Sequence, residues 1–297
     1  MNFLVVGHSV VDEIFERQSH KIKPGGIYYT VISLLSLVEA TDKIFLCTNI
    51  AEGNIELFKF IYDQVENEFV RKIKSIPTVK LIINESGERK ETYTELAENL
   101  ILPEENLNFF DGILINMITG YDISLDQLNE LRKNFDGLIY FDVHTLSRGV
   151  DKNLERNFRR IKNFNLWAEC IDILQTNEFE LQTLSDKSKE IEIIEELLSY
   201  GIKQVLVTRA ERGATVYIVD KNSIKRIDRN ALGVKLINKV GCGDVFGAAY
   251  FYNYIKNKNI NLALEKANIY AGIATTYFSE KDFLNMKHDA DEWISKK

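Results

Sequence analysis

The segment NKVGCGDVFGAAYFYNYI, residues 238–255, places two glycines and a carboxylate directly before a long apolar run. Gly241 and Gly243 let a ligand approach the backbone closely, because glycine has no Cβ. A helix that starts here directs unpaired N–H groups outward, where they attract an anion. Asp244 could then take the proton from a hydroxyl group that attacks a phosphate. Alternatively, Asp244 only caps the helix, a contribution of about 1 kcal/mol, and the short motif taken alone favours this interpretation.

A second candidate site is TNEFE, residues 176–180. Asn177 and Glu180 are three residues apart and would share one face at a helix start. Mg²⁺ prefers oxygen ligands and often keeps several of its waters, so one amide and one carboxylate suit it. An Asn N-cap with a Glu at the third helical position is the simpler explanation of the pair.

Two further segments could contact a small polar ligand. Asp12 follows the first apolar run, in VGHSVVDE, and its carboxylate can accept hydrogen bonds from two sugar hydroxyls. Gly25 and Gly26, in PGGIYYT, precede an apolar segment and would expose backbone to a substrate. Ordinary turn chemistry also explains both segments.

Composition restricts the class of protein. The chain has 297 residues, a formal net charge of −7 and 45% hydrophobic residues, values of an acidic globular protein with a large core. An acidic chain is a poor nucleic-acid binder, so we expect no nucleic-acid partner. Cys47, Cys170 and Cys242 fit neither a zinc pattern nor a disulfide framework. With no signal peptide or membrane-spanning run visible, we expect a cytoplasmic protein without a membrane partner.

Short apolar runs alternate with amphipathic ones along the chain, which predicts a mostly parallel sheet covered by helices on both faces. No stretch rich in Pro, Gly or Ser interrupts residues 1–297, so we predict a single domain. The predicted strands are 3–7, 43–49, 112–117, 137–143, 171–176 and 203–208. The predicted helices are 27–40, 54–69, 151–163, 189–200 and 260–278.

Residues 78–100 interrupt this alternation, because they read as a strand, a polar turn at Glu85–Glu88 and a second strand. The segment 13–23 alternates apolar and charged residues and could pair with them. We predict that the two segments form a small β-lid over the main sheet. The alternative is a hairpin at the edge of that sheet.

Open α/β sheets bind ligands at the carboxyl ends of their strands. Asp12, Asp142, Asn177, Thr208 and the segment Gly241–Asp244 all lie beside predicted strand ends or helix starts. We therefore expect these residues, distant in sequence, to meet at one edge of the sheet.

In their order along the chain, these motifs resemble those of the ribokinase-like family, also called PfkB-type carbohydrate kinases. NKVGCGDVFGAAYF is similar to the family's Gly-x-Gly-Asp signature with its apolar helix, and KPGGIYYT to its N-terminal Gly-Gly signature. DILQTNEFEL is similar to its Asn-x-x-Glu motif. VLVTRAERGATVY resembles its strand and turn at the nucleotide, and EKANIYAGIATT its late helix.

The resemblance implies a three-layer αβα fold with a small β-lid, and ATP-dependent phosphorylation of a hydroxymethyl group with Mg²⁺. By position, Asp244 would be the base, and the N–H groups of Gly241, Cys242 and Gly243 the anion hole. Asn177 and Glu180 would organise Mg²⁺, mainly through water, together with the donor phosphates. The remaining positions complete the implied site: Thr208 and Gly213 at the phosphates and ribose, Asn268 near adenine, and Asp12, Gly25 and Gly26 at the substrate.

The sequence departs from the family pattern before the anion hole. Asn238 and Lys239 stand where Asp-Thr is usual, and that Asp often helps to hold a monovalent cation. We hypothesise that Lys239 supplies a fixed positive charge and removes a dependence on K⁺, although a solvated Lys239 is equally compatible. Ala210 stands where the family often has a glycine, in the turn that follows the strand at the nucleotide. Cys242 could be a reactive thiol at a helix start, but a small buried side chain is the simpler interpretation.

The nature of the acceptor stays open at this point. A sugar kinase is the leading interpretation, a nucleoside kinase of the same family is an alternative, and a non-catalytic relative that binds nucleotide or sugar is another. Arg148, behind the strand that ends at Asp142, could meet a phosphorylated substrate, although a solvated surface position is simpler. A homodimer could form through the lid, because exposed strand edges invite pairing.

Overall fold

The computed structural model describes residues 1–16, 19–83, 89–96, 98–221 and 223–296. In chain order its strands are β1 (Asn2–Val6), β2 (Ser9–Glu16), β3 (Ser19–Gly26), β4 (Lys43–Ala51), β5 (Val70–Ile73), β6 (Thr78–Ile83), β7 (Arg89–Glu95), β8 (Gly112–Asn116), β9 (Leu138–Asp142), β10 (Arg148–Val150), β11 (Arg156–Phe158), β12 (Ile173–Asn177), β13 (Gln204–Thr208), β14 (Ala214–Asp220) and β15 (Ser223–Arg229).

The helices follow the apolar periodicity of the sequence. They are α1 (Tyr28–Leu37), α2 (Ile55–Tyr62), α3 (Leu125–Asn134), α4 (Phe164–Ala168), α5 (Glu178–Leu181), α6 (Glu190–Ser199), α7 (Cys242–Asn257), α8 (Ile260–Ala274) and α9 (Met286–Ser295). None of these helices, taken over the described residues, has the length and apolar character that crossing a bilayer requires.

The large sheet has the strand order β15-β14-β13-β12-β9-β8-β1-β4-β5. Its strands from β13 to β5 run parallel, and β14 and β15 are added antiparallel at one edge. The chain winds outward from β1 in both directions, because β1 pairs with β4 on one side and β8 on the other. A strand order that reverses in this way leaves a crevice at the carboxyl ends of the strands, where ligands bind in such folds.

Two hydrophobic cores lie on opposite faces of this sheet. Successive strand residues alternate between faces, so Phe3 and Val5 pack with α1, α7 and α8, whereas Leu4 and Val6 pack with α3 and α6. Helix α7 is buried along most of its length, because it packs against both α1 and α8 as well as against the sheet. The predicted doubly wound, mostly parallel sheet between helical layers is therefore confirmed.

A separate sheet has the order β3-β2-β6-β7. Strand β2 pairs antiparallel with β3 and parallel with β6, and β6 forms a hairpin with β7. The segments 13–23 and 78–100 pair with each other as predicted, and neither joins the large sheet. The first segment is longer than predicted, at 9–16 and 19–26, while residues 17, 18, 84–88 and 97 lie outside the described part of the chain. Ile22 and Ile82 are exposed on this sheet, but dimerisation through it stays a prediction.

The prediction of a helix at 151–163 is wrong. The Asp151 side chain accepts hydrogen bonds from the backbone N–H groups of Asn153 and Glu155, a local turn that competes with a helix. Leu154 has a left-handed φ of 61°, and the chain continues as β11, which pairs with β10. The predicted helix 54–69 is also too long, because α2 ends at Tyr62 and the chain leads into β5. Helices α3 and α9 and strand β15 were not predicted.

Candidate active site

A cavity of about 350 Å³ opens at the carboxyl ends of the large sheet, beneath the small sheet. It brings together most of the residues singled out in the sequence. Its walls include Asp12, Gly26, Asp142, Asn177, Glu180, Thr208, Lys239, Gly241, Cys242, Gly243 and Asp244. Gly25, Gly213 and Asn268 do not line it.

The glycine-rich segment forms one wall of the cavity as the start of α7. Gly241 precedes the helix with a left-handed φ of 76°, and a Cβ there would lie 2.6 Å from ring carbons of Tyr29. Glycine is therefore required for two reasons, backbone conformation and space. Cys242, Gly243 and Asp244 form the first turn of a 16-residue helix, so the partial positive charge of its N-terminus faces the cavity.

Asp244 is held by side chains from the first half of the chain. The Asn116 amide Nδ2, at the end of β8, donates to Asp244 Oδ1 at 2.7 Å and to Thr30 Oγ1 at 3.1 Å. Burial raises the pKa of Asp244 to about 7, the Asn116 hydrogen bond opposes this, and the negative charge of Asp12 adds to it. A carboxylate with a pKa near neutrality is suited to accept and release a proton at physiological pH.

Asn116 was not identified from the sequence. The available signal was a polar residue at the carboxyl end of the otherwise apolar strand GILIN. Gln175 of β12 was not identified either, because it too is a polar residue near the carboxyl end of a strand. Its Nε2 donates to Asp142 Oδ2 at 2.7 Å and to the Gly243 carbonyl at 3.1 Å, and so links two strands to the first turn of α7.

Asn177 and Glu180 form the capping box that the sequence also allowed. Asn177 Oδ1 accepts from the backbone N–H groups of Phe179 and Glu180, and the Glu180 carboxylate accepts from the Asn177 N–H at 2.9 Å. Glu180 is also part of the cavity wall, where burial raises its pKa to about 7 against the opposing effects of the Asn177 N–H and the Arg148 charge. The cap therefore fixes the carboxylate at the cavity.

Neighbouring negative charges disfavour the ionised forms of two carboxylates on this wall, Asp142 and Asp244. The pKa of Asp142 is raised well above its ordinary value by burial and by the negative charges of Glu180 and Asp244. Within the described part of the chain, no three His, Cys, Asp or Glu side chains are grouped so that they could hold a metal alone. An oxygen-rich, like-charged wall nevertheless fits Mg²⁺ that is bound jointly by protein, water and phosphate oxygens.

Asp12 reaches the cavity from the small sheet. It lies on β2 opposite Lys23 of β3. A Cβ at Gly25 would lie 2.4 Å from Asp12 Oδ2, so Gly25 makes room for the carboxylate and lies behind it. Gly26 has a left-handed φ of 62°, and a Cβ there would lie 2.4 Å from the His8 carbonyl oxygen.

The residues expected at the nucleotide extend from the first cavity to a second one. Thr208 lines the first cavity, and the turn after it contains Ala210, which has a left-handed φ of 49°. That turn ends at Gly213, where a Cβ would lie 2.0 Å from the Arg229 carbonyl oxygen. Arg229 and the four residues after it line a cavity of about 390 Å³ together with Asn268 and Trp293.

Cys242, Lys239 and Asn238, the residues at the anion hole that depart from the family pattern, have different surroundings. Burial and the charge of Asp244 raise the pKa of the Cys242 thiol to about 12, which favours an inert thiol at neutral pH. Lys239 is exposed and borders the cavity. Asn238 Oδ1 accepts from the Val240 N–H at 2.9 Å, so its side chain shapes the turn.

Comparison with known proteins agrees with this architecture. The family model of the pfkB family carbohydrate kinases matches residues 146–284. A 5-dehydro-2-deoxygluconokinase of Clostridium botulinum (strain Eklund 17B / Type B) is 25% identical over 268 residues, covering 80% of this chain and 75% of the relative.

Solved structures show the same fold. A putative ribokinase II of E. coli in complex with ATP and Mg²⁺ has a TM-score of 0.76 at 17% identity, covering 100% of this chain and 99% of the other. A pyrophosphate-dependent kinase in the ribokinase family, complexed with a pyrophosphate analogue and myo-inositol, has a TM-score of 0.71 at 20% identity, covering 92% and 94%. The family-model match over residues 146–284 and the Clostridium relative support the predicted resemblance to the PfkB-type carbohydrate kinases, phosphotransferases that act on an alcohol group, and the solved structures show the ribokinase-like fold.

Proposed function

We propose that the protein transfers the γ-phosphoryl group of ATP to a hydroxymethyl group of a sugar or sugar derivative. The observation that carries this proposal is the position of Asp244. Its carboxylate has a pKa near 7, accepts a hydrogen bond from Asn116 and lies in the first turn of a helix whose N-terminus faces the cavity. A proton acceptor and an anion-binding backbone are thus adjacent, as in-line phosphoryl transfer requires.

The reaction would proceed as a single displacement. The acceptor hydroxyl oxygen attacks the γ-phosphorus while its proton passes to Asp244, and the bond to the β–γ bridging oxygen breaks to release ADP. The N–H groups of Gly241, Cys242 and Gly243 would stabilise the negative charge on the phosphoryl oxygens. Asn116 would keep the Asp244 carboxylate oriented towards the hydroxyl.

Mg²⁺, when bound, supplies positive charge that neutralises the donor phosphates. Asn177 and Glu180 would hold it, mainly through water. Asp142 is a further acidic side chain on the same wall. The raised pKa of Asp142 supports this placement, because the negative charges of Glu180 and Asp244 contribute to it and a bound cation would relieve that repulsion.

The second cavity supports ATP as the donor. It lies directly beyond the Thr208–Gly213 turn, and Asn268 on its wall is the residue expected near adenine. Pyrophosphate needs no such space, so a donor that uses this cavity would carry a nucleoside. Asp12 and Gly26 would contact the acceptor from the small sheet, which we propose acts as the lid and excludes water when it closes.

The name of the Clostridium relative indicates an acidic sugar derivative as its acceptor. We therefore propose 5-dehydro-2-deoxygluconate as the first acceptor to test, beside neutral sugars, sugar phosphates and nucleosides. ADP release would be followed in a coupled assay with Mg²⁺-ATP. In a parallel series pyrophosphate would replace ATP, and the release of phosphate would be followed.

Asp244→Asn serves as the matched inactive variant. Turnover of a sugar by the wild type and its loss in the variant are expected. Turnover of nucleosides alone would identify a nucleoside kinase. Binding without ADP release for every acceptor would identify a non-catalytic relative. Turnover with pyrophosphate alone would contradict the choice of donor.

A further inference from the structure

Arg148 borders the cavity with a guanidinium group that has no hydrogen-bond partner among the described residues. Its nearest carboxylate oxygens are Glu180 Oε1 at 3.7 Å from Nη2 and Glu91 Oε2 at 4.0 Å from Nη1, both beyond hydrogen-bond length. Its Nε is buried without a partner. The side chain is 25% exposed and lies over the Phe158 ring at 5.0 Å from the centroid. The guanidinium thus packs on the Phe158 ring, and its two Nη groups make no hydrogen bond within the described part of the chain.

The neighbouring Arg156 shows what a structural arginine looks like here. Its Nη1 donates to Glu91 Oε2 at 2.7 Å, its Nη2 donates to the Tyr93 hydroxyl, and it stacks on the Tyr93 ring at 4.4 Å. Arg156 therefore ties the β10–β11 hairpin to β7 and satisfies Glu91. Arg148 makes no hydrogen bond in that connection, and its ion pairs with Glu91 and Glu180 are longer, at 4.0 Å and 3.7 Å.

The position of Arg148 points to the acceptor. Val79 of β6 lies beside Asp12 of β2 and opposite Tyr93 of β7. Directly paired strand residues share a face, and so do residues two apart. Glu91 therefore lies on the same face of the small sheet as Asp12. Arg148 lies 4.0 Å from Glu91 and lines the same cavity as Asp12.

We infer that Arg148 binds an anionic group, a carboxylate or a phosphate, on the acceptor molecule. The inference rests on the proposed kinase function and specifies its substrate class as acidic sugar derivatives. Guanidinium presents a planar fork of donors that matches either group in a bidentate arrangement. Asp12, Glu91 and Asp244 would otherwise repel a negatively charged acceptor, so a cation on this wall is needed for such a molecule to bind.

The test compares three acceptors that each carry a primary hydroxyl: 5-dehydro-2-deoxygluconate with a carboxylate, fructose 6-phosphate with a phosphate, and neutral fructose. We expect the wild type to prefer one anionic acceptor, and the preferred one identifies the group that is bound. Arg148→Met should lower kcat/KM for that acceptor by about ten- to a hundredfold, mainly through KM, because a charged bidentate contact is lost. Arg148→Lys should recover part of the loss.

If the loss of kcat/KM is confined to the anionic acceptor, Arg148 acts in acceptor binding rather than at the phosphoryl donor. The loss of kcat/KM in Arg148→Met should be at least tenfold larger for the anionic acceptor than for fructose, whose kinetics report any general effect of removing a charge beside Glu180. Arg226→Met, at an exposed arginine of the edge strand β15, is the matched control and should behave like the wild type. Equal loss of kcat for all three acceptors, or a raised KM for ATP, would overturn the inference, because either result would assign Arg148 to the phosphoryl donor.

A binding measurement separates this inference from the kinase proposal. If the wild type turns over none of the acceptors, the kinase proposal fails, and thermal shifts with the two anionic acceptors decide the question for Arg148. Stabilisation of the wild type that disappears in Arg148→Met would support the inference. Absence of stabilisation, or equal stabilisation of both proteins, would refute it.

Discussion

Replacing Asp244 by asparagine should have opposite effects on activity and stability. Turnover should fall by at least a hundredfold, because general-base assistance is lost while the side chain keeps its shape. The folded protein should become more stable, increasingly so at higher pH. Both effects follow from one feature, a carboxylate whose pKa is raised to about 7 by burial.

The size of the stability effect follows from the two pKa values. A carboxyl group whose pKa is raised by folding, here from 3.8 to about 7, stabilises the folded state fully below pH 3.8. That contribution is lost as the pH rises through the pKa of the folded state. By pH 9 the loss is at most about 4 kcal/mol, since Asp244 is only partly buried and contact with solvent lessens the cost of ionisation. About 1.5 kcal/mol of it is already lost at pH 5.

Asparagine does not ionise, so the variant escapes this loss. Its stability advantage over the wild type should grow by up to about 3 kcal/mol between pH 5 and pH 9. For a chain of this size that corresponds to about 4–5 °C in Tm. Differential scanning fluorimetry of both proteins at pH 5, 7 and 9 measures it, and Asp63→Asn, at an exposed aspartate behind α2, is the control.

Two results would refute the reasoning. A stability difference that stays constant or shrinks from pH 5 to pH 9 would mean that the Asp244 carboxylate is not destabilised by its site. Turnover of the variant within a few-fold of the wild type would remove Asp244 as the base. A loss of binding, checked by the thermal shift with ATP, would instead point to a collapsed cavity.

Three further predictions concern the surroundings of this carboxylate. Asn116→Leu removes a hydrogen bond that lowers the Asp244 pKa, so the acidic limb of the kcat/KM profile should move to higher pH, by about one unit. Gly241→Ala should cost about 1–3 kcal/mol in urea unfolding, because a Cβ at φ 76° would also meet the Tyr29 ring, and turnover should fall with it. Exchanging K⁺ for tetramethylammonium should leave turnover unchanged if Lys239 supplies the fixed charge, and Lys239→Met should lower it.

Matched variants make these outcomes decisive. Gly53→Ala introduces a Cβ into open space and should change neither stability nor turnover. Lys235→Met changes an exposed lysine of the same loop as Lys239 and should be silent. An unshifted pH profile in Asn116→Leu would contradict the conclusion that the Asn116 hydrogen bond lowers the pKa of Asp244. Wild-type stability of Gly241→Ala would contradict the requirement for glycine, and a strong loss without K⁺ would exclude the role of Lys239.

The sequence predicted the parts of the fold that are determined locally. The apolar strands and the glycine-rich start of α7 carry their signal within a few adjacent residues. The helix expected at 151–163 failed because a single aspartate side chain, Asp151, binds the backbone ahead of it and turns the chain.

Residues that act through distant partners could not be recognised in the same way. Asn116 looks like any polar residue at a strand end, and its role appears only when α7 is placed beside β8. Asn268 was expected near adenine only from the family resemblance, because its place at the second cavity depends on how α8 packs beside Arg229 and the residues after it.

The hydrogen bond between Asn116 and Asp244 joins residues 128 positions apart in the chain. During synthesis the N-terminal strands emerge first, and β1 can pair with β4 and later β8 while the second half is still unmade. The anion hole and its carboxylate arrive only with α7, after every strand of the large sheet has been made. On the proposed mechanism, a chain that stops before α7 therefore cannot consume ATP, and activity reports a molecule that is folded from β1 through α7.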